Sequence, residues 1–474
     1  MVFSSALFLV YFFPILLITY YLTPKKYKNI VLLAFSIFFY AWGAPKFIFV
    51  LLGTTFIDYQ VVRYMDKIED KKRRRLFLLI PLIINVGLLF YFKYANFFID
   101  NMNALVESMG GKPMPLLNVI MPIGISFYTF ETLTYVIDVY RRVHKPLNHF
   151  WNYQLYIILF PKLIAGPIIR YHEISDQITG RFETETIDEK LTGFFRFCIG
   201  LGKKVLIANT MGQFADTMFA MPVDTLDSAS AWLGTLAYTF QIYFDFSGYS
   251  DMAIGIGLML GFRFPENFNN PYISKSISEF WRRWHISLGN WMRNYLYIPL
   301  GGNRVSKQRV YFNLWLVFLL SGLWHGASWT FIAWGAYHGL FLILDRLFLE
   351  KWLLKLGKFI AIPITFLATM IGWVLFRAET LDHAIAIWKN MFSFNFNLSY
   401  QFLEVRFFVI LAVAGFFSFF AFSGFTQKIQ NYIFGIQKNS FAHLGFILIA
   451  IVLFFISLGN ILTSDYNPFI YFRF

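Results

Sequence analysis

Apolar stretches of bilayer-spanning length recur from one end of this sequence to the other, and nothing else about it restricts the possible folds as strongly. A transmembrane helix needs about 17–25 mostly apolar residues, and residues 2–21, 76–92, 119–139, 229–246, 359–376, 407–425 and 444–462 all provide them. Only 14% of the residues are charged and 57% are hydrophobic, whereas a soluble chain carries about 25% charged residues. The expected class is an all-α, multi-pass membrane protein. Stretch 2–21 lacks both a basic leader and a small-residue cleavage site, so it reads as a retained span and not a signal peptide. No linker or low-complexity tract divides the chain. The expectation is one integral membrane domain over 1–474, with amino-terminal helices in 1–145, a core in 150–345, and carboxyl-terminal helices and a tail in 355–474.

The 41 basic residues outnumber the 27 acidic ones, for a net charge of +14. Such an excess can signal nucleic-acid binding, but here it falls in short loops between spans, which is the pattern of cytoplasmic loops. Lys25, Lys26 and Lys28 follow the first span; Lys71, Lys72 and Arg73 to Arg75 form a second cluster; Arg141, Arg142 and Lys145 form a third. With those loops inside, both termini lie outside. No nucleic-acid partner is expected; the bilayer is. The single cysteine, Cys198, excludes an internal disulfide and a cysteine-rich metal site.

Three segments interrupt the apolar pattern. Proline and glycine break 150–174 at Pro161 and at Gly166-Pro167, "DFSGYSD" covers 245–251, and "YIPLGGNR" covers 297–304. Non-helical backbone at membrane depth survives only where protein buries it or a wet cavity borders it, so an internal cavity is expected. Asp245 and Asp251 are expected to bond the broken backbone there or to support a histidine. Glu131 and Asp138, seven apart on one helical face, are expected to pair with arginines. No internal repeat is visible, which counts against a proton-coupled transporter built from inverted repeats.

Ionisable residues in such a chain mark function by default. "EFWRRWHISLGNWMRNYLYIPLGG", residues 279–302, holds three arginines and a histidine among tryptophans. On one continuous helix, Trp281, Trp284, His285, Leu288, Trp291 and Met292 share a face, and Arg282, Arg283, Asn290, Arg293 and Asn294 share the other. Two readings stand: an interfacial amphipathic helix with snorkelling arginines, or a site in which guanidinium forks grip an anionic ligand. His285, on the aromatic face, reads either as a core histidine or as a functional one.

A second cluster, "LLSGLWHGASWTFIAWGAYHGLFL" (319–342), sets His325 between Gly322 and Gly326, beside Trp324. Histidine titrates near neutrality and suits general acid–base work. His338 is thirteen positions on, about 20 Å away on a continuous helix, and is not expected to act with His325. No zinc motif, nucleophile elbow or phosphate-binding loop is present.

Both clusters, together with "YFKYANF", "PIGISFYTFE", "LIAGPIIRY" and the closing "PFIYFRF", resemble the membrane-bound O-acyltransferase family over nearly the whole chain. The likeness is strongest to its bacterial branch acting in alginate O-acetylation, peptidoglycan O-acetylation and teichoic-acid D-alanylation. The resemblance implies about eleven or twelve helices, with re-entrant pieces, around a central tunnel. It implies that His325 is the family's signature histidine and that His285 occupies the second family position. The implied chemistry is transfer of an acyl group, acetyl above all, from a cytoplasmic thioester such as acetyl-CoA, with no resident cofactor or metal. His325 would then be the general base toward the acceptor hydroxyl, and His285 would orient the donor or donate to its carbonyl oxygen. Arg282, Arg283 and Arg293, with Trp281 and Trp324, would bind the donor. Related systems carry a similar aromatic terminus whose tyrosine bears the acyl group, here Tyr471. An outward-facing SGNH-type acetyltransferase would pass that group to a polysaccharide or cell-wall polymer outside a bacterial cell membrane. D-alanyl transfer to teichoic acid and proton-coupled transport are the alternatives.

Overall fold

The computed structural model describes residues 2–183, 185–396, 404–464 and 466–470; Tyr471 lies outside them. Every regular element among the described residues is a helix. Among the described residues, six helical stretches are long and apolar enough to cross a membrane: Phe47–Asp66, Lys71–Ser108, Trp329–Leu356, Lys358–Arg377, Val405–Phe422 and Ser440–Thr463. The protein is thus an all-α, multi-pass membrane protein. The expected spans 119–139 and 229–246 fall within helices Ile125–Tyr140 and Ser228–Met259. Asp58 and Arg63 blur the apolar run of Phe47–Asp66, as His338 and Asp345 blur that of Trp329–Leu356, and neither was read as a span.

The chain forms two compact units, residues 1–186 with 260–264, and residues 187–259 with 265–474. In the first, helix Phe150–Ile158 stops and a short helix, Phe160–Leu163, begins with Pro161 in its first turn, where proline's missing donor costs nothing. The break seats Lys162 against Glu131, an ion pair with side chains 0% and 1% exposed. Glu131 therefore pairs with a lysine and not an arginine as expected, while Asp138 takes His172 Nδ1 at 2.8 Å.

In the second unit, helix Ile187–Gly202 lies antiparallel on the long helix Ser228–Met259, and paired glycines set how close they come. A Cβ on Gly193 would stand 2.7 Å from the Gly255 carbonyl oxygen, and one on Gly200 would stand 2.5 Å from that of Gly248. Membrane helices associate through such small-residue seams, since lipid supplies no hydrophobic drive. This corrects the expected break at 245–251. Ser228–Met259 is continuous for 32 residues, and Gly248 serves helix contact instead of interrupting the helix. Asp251 accordingly bonds no broken backbone; it takes Arg196 at 2.9 Å and Lys203 at 2.7 Å.

Two further expectations of continuity fail in the same unit. Helices Lys307–His325 and Trp329–Leu344 are separate and fold back as a hairpin, with Gly322 against the Phe331 carbonyl and Gly335 against that of Phe318. The aromatic-and-arginine segment also divides, into Ile277–Arg283 and Ile286–Met292. Its buried and exposed faces nevertheless separate nearly as the helical wheel placed them. "YIPLGGNR" leaves the helix in turns, with Gly301 at φ 105° and Gly302 at φ 53°.

Candidate functional site

His285 sits at the break between the two short helices, with φ 45° and ψ 54°, a left-handed conformation uncommon outside glycine, though histidine is among the side chains enriched there. It caps Ile286–Met292 with backbone only; the side chain from loop residue Asn267 does the polar work. Asn267 Oδ1 accepts from the Ser287 backbone N–H at 3.3 Å, from Ser287 Oγ at 2.9 Å and from His285 Nδ1 at 3.1 Å. A backbone N–H can only donate, so the asparagine atom facing it is oxygen. The His285 nitrogen on that oxygen must therefore carry the proton.

In the neutral ring Nε2 is then a lone-pair acceptor. It is buried and has no hydrogen-bond partner among the described residues. His285 is only 2% exposed and lies outside the six apolar candidate spans; burial pushes its imidazole down to about 3, so the ring is neutral at physiological pH. Of the two roles the resemblance implied, a neutral His285 can orient a donor by accepting an N–H. It cannot donate from Nε2 to a carbonyl oxygen.

The same residue lines an open pocket of about 500 Å³ with Trp281, Trp284, Arg282, Arg293, Tyr297 and others. Two of the three expected arginines thus reach one concavity, with a mainly apolar wall beside them. Arg282 is 65% exposed and makes a long, 3.7 Å ion pair with Glu350. Arg283 is placed elsewhere: its Nε bonds Glu279 at 2.9 Å and its Nη1 bonds the Asn269 carbonyl at 3.1 Å. Trp324 does not line the pocket either. Its ring stands 6.4 Å from His285 and 4.9 Å from His325, beside both histidines.

His325 ends its helix, 6% exposed, among the rings of Trp324, Trp334 and Phe376. A void of about 10 Å³ adjoins it, lined by Ile242, Phe246, Trp284, Trp334, Trp373, Phe376 and, from the far end of the chain, Ile470. That volume is room for about one water molecule. Trp284 lines both spaces, and Phe246, which lines the void, packs edge-on to His285 at 4.6 Å. The hairpin brings His325 to Trp334, which His338 also touches from its own helix, the rings standing 5.2 Å and 5.1 Å from the indole. The two histidines therefore share a tryptophan, and the 20 Å separation of a continuous helix does not apply.

The tail reaches His325 because a chain of polar contacts fixes it. Tyr466 Oη donates to Asp216 at 2.7 Å, and Asp216 also pairs with Arg377 at 2.9 Å. Lys204 Nζ bonds the Pro468 carbonyl and reaches Asn209 Oδ1 at 2.8 Å and Asp245 Oδ1 at 2.7 Å. Asp245 Oδ2 accepts the Ile470 N–H at 2.8 Å, and Phe469 stacks on Tyr249 at 4.7 Å. Lys204 and Asp245 are 3% and 2% exposed. Asp245, expected to support broken backbone or a histidine, instead grips the tail.

Reasoning from sequence passed over Lys204 and Asn267. A second lysine inside the apolar run "GLGKKVLIANT" was the available signal for the first; a loop asparagine in "ENFNNP" offered none for the second.

Residues 138–353, which contain both histidines and all three arginines, match the model of the membrane-bound O-acyltransferase family. The chain is 47% identical to the probable alginate O-acetylase AlgI of Pseudomonas aeruginosa, over 83% of this chain and 75% of that one. Against the Pseudomonas putida protein of the same name the identity is 43% over the full length of both. The peptidoglycan O-acetyltransferase of Helicobacter pylori is 38% identical over 83% of this chain and 80% of its own. This chain belongs to the membrane-bound O-acyltransferase family and is an O-acyltransferase.

Proposed function

We propose that the protein moves an acetyl group from a cytoplasmic thioester, acetyl-CoA, to its own carboxyl-terminal Tyr471, for onward transfer to an extracellular polysaccharide such as alginate. The single observation that carries this reading is Ile470, the last described residue, lining the void beside His325; Tyr471 is the next residue in the chain.

In this reading the donor's phosphates meet Arg282 and Arg293, and an N–H of its amide-bearing arm donates to His285 Nε2. His325 takes the proton of the Tyr471 hydroxyl as the oxygen attacks the thioester carbonyl. The C–O bond forms, the C–S bond breaks, and the leaving thiolate recovers the proton from the imidazolium. A base is needed because a phenol's reference pKa lies near 10. The product is a tyrosine ester, activated enough to serve an outward-facing SGNH-type partner. Both termini face outward in a bacterial cell membrane. Alginate is favoured over a D-alanylated acceptor by the names of the relatives at 43–47% identity. The test is labelled acetyl-CoA supplied to the protein in proteoliposomes: thioester turnover is expected in the wild type and lost in His325→Ala, and turnover surviving that change would overturn the reading.

A further inference from the structure

We propose that Asn267 is a positioning residue for acyl transfer: it fixes His285 as the Nδ1–H tautomer and so presents the Nε2 lone pair to the donor pocket. The proposal rests on the reading of His285 as the residue that orients the donor. Three observations carry it.

The first is the fixed orientation of the amide. Asn267 Oδ1 receives the Ser287 N–H and the Ser287 hydroxyl, and Nδ2 donates to Ser250 Oγ at 3.1 Å. Rotating the amide by half a turn would set its NH2 against a backbone N–H and break those bonds together. Asn267 is 0% exposed, so no water replaces the loss. The second is the anchorage of the loop that carries it. The Ile286 N–H donates to the Asn267 carbonyl at 2.9 Å, and the Asn269 N–H to that of Arg283 at 2.9 Å. Next to it, Glu266 Oε1 takes Arg196 Nη1 at 2.6 Å, and Arg196 is held in turn by Asp251 on the long helix. The asparagine is thus tied to the backbone of the two residues that follow the histidine, and its neighbour Glu266 ties the loop to the glycine-packed helix pair. The third is the unsatisfied atom it creates. With Nδ1 committed, Nε2 is left as a buried acceptor without a partner among the described residues, on a residue lining the 500 Å³ pocket. Leaving a buried nitrogen unsatisfied is costly, and a ligand that supplies the missing donor removes that cost.

An imidazole held in the wrong tautomer keeps its shape and loses its function. At metal sites the partners that orient a ligating histidine are worth about 10–100-fold in affinity or activity, a scale that carries over to a histidine held for an organic ligand. Asn267→Ala is therefore expected to lower acetyl transfer by about 10–100-fold at matched protein levels, mainly through a raised KM for the thioester. Asn267→Asp keeps an acceptor oxygen on Nδ1 and on the Ser287 N–H, so it is expected to restore most of the transfer.

The deciding readout is the 15N spectrum of the His285 ring in histidine-labelled protein, assigned by difference from His285→Ala. Protonated Nδ1 and bare Nε2 are expected in the wild type and in Asn267→Asp, and a mixed or reversed tautomer in Asn267→Ala. Transfer in the double variant Asn267→Ala, His285→Ala is expected to equal that of His285→Ala alone, since coupled residues do not add. An unchanged tautomer in Asn267→Ala, or wild-type transfer by that variant while His285→Ala is inactive, overturns the role of Asn267. Full transfer by His285→Ala overturns the functional reading itself, and the positioning role with it.

Discussion

Exchanging Lys204 for methionine should release the carboxyl-terminal tail while leaving the helices folded. The side chains of Lys204 and Asp245 are 3% and 2% exposed, and their ion pair spans 2.7 Å. Removing one partner of such a pair strands a buried charge, at a cost of about 3–5 kcal/mol. The same change deletes the bond to the Pro468 carbonyl. The tail can escape this cost by undocking, against what still holds it: Tyr466 on Asp216, the Asn209 side-chain amide on the Tyr466 carbonyl and Asn467, the Ile470 N–H on Asp245, and Phe469 on Tyr249. At about 1.4 kcal/mol per tenfold, its docking equilibrium should weaken by about two to three and a half decades, and transfer should fall with it. Cys198 is fully buried, so in a Cys198→Ser background an Ile470→Cys probe reports tail exposure by its rate of maleimide labelling. Slow labelling is expected with Lys204 present and fast labelling with Lys204→Met. Adding Asp245→Asn removes the stranded charge but keeps an acceptor for the Ile470 N–H, so it should restore much of the protection. A Lys204→Met protein that keeps both a protected probe and wild-type transfer refutes the clamp.

His325→Ala should abolish acetyl transfer, whereas His338→Ala, whose ring packs among Trp281, Trp334, Tyr337 and Trp373, should lower abundance but retain transfer per molecule; equal loss at matched protein levels would remove the distinction. Arg282→Ala and Arg293→Ala should each raise the KM for acetyl-CoA about two- to five-fold, the scale of an exposed charge contact worth ~0.4–1 kcal/mol, and leave kcat near its wild-type value. Arg283→Ala, which loses Glu279 and the Asn269 carbonyl, should lower thermal stability in detergent with no change in KM; a KM effect there would return Arg283 to the donor site. Gly322→Ala would put a methyl group 2.2 Å from the Phe331 carbonyl oxygen. Overpacking of that kind costs about 1–3 kcal/mol and should reduce folded protein, so normal abundance and melting temperature would contradict the hairpin geometry.

The sequence was most legible where a rule acts over many residues or where two rare features coincide. Bilayer thickness forces long apolar runs, so 76–92, 359–376, 407–425 and 444–462 match candidate spans. A histidine between tryptophan and glycine in an apolar run marked His325, a histidine beside tryptophan in an arginine-rich segment marked His285, and the wheel placed Arg282 and Arg293 on an exposed face. Local breaks were harder to read. The break at Trp284 and His285 preserves the phase of the apolar face, so two short helices resemble one long one. Gly248 looked like a helix breaker because a close approach between helices leaves the same residue in the sequence as a turn does. The turn after His325 occupies Gly326 to Ser328, too few residues to interrupt the apolar run. The tail clamp was invisible because it joins Lys204, Asp245 and residues 468–470, which only the fold brings together. Asn267 was hidden for the same reason: its importance lies in what it faces.

Mass spectrometry of the carboxyl-terminal peptide after incubation with acetyl-CoA shows whether the acetyl group passes His325 onto the protein's own tail. An acetyl ester on Tyr471 is expected in the wild type and none in His325→Ala, with loss of polymer acetylation but not of protein in Tyr471→Phe. Wild-type polymer acetylation by Tyr471→Phe, or an unmodified terminal peptide under conditions of active thioester turnover, would contradict that transfer.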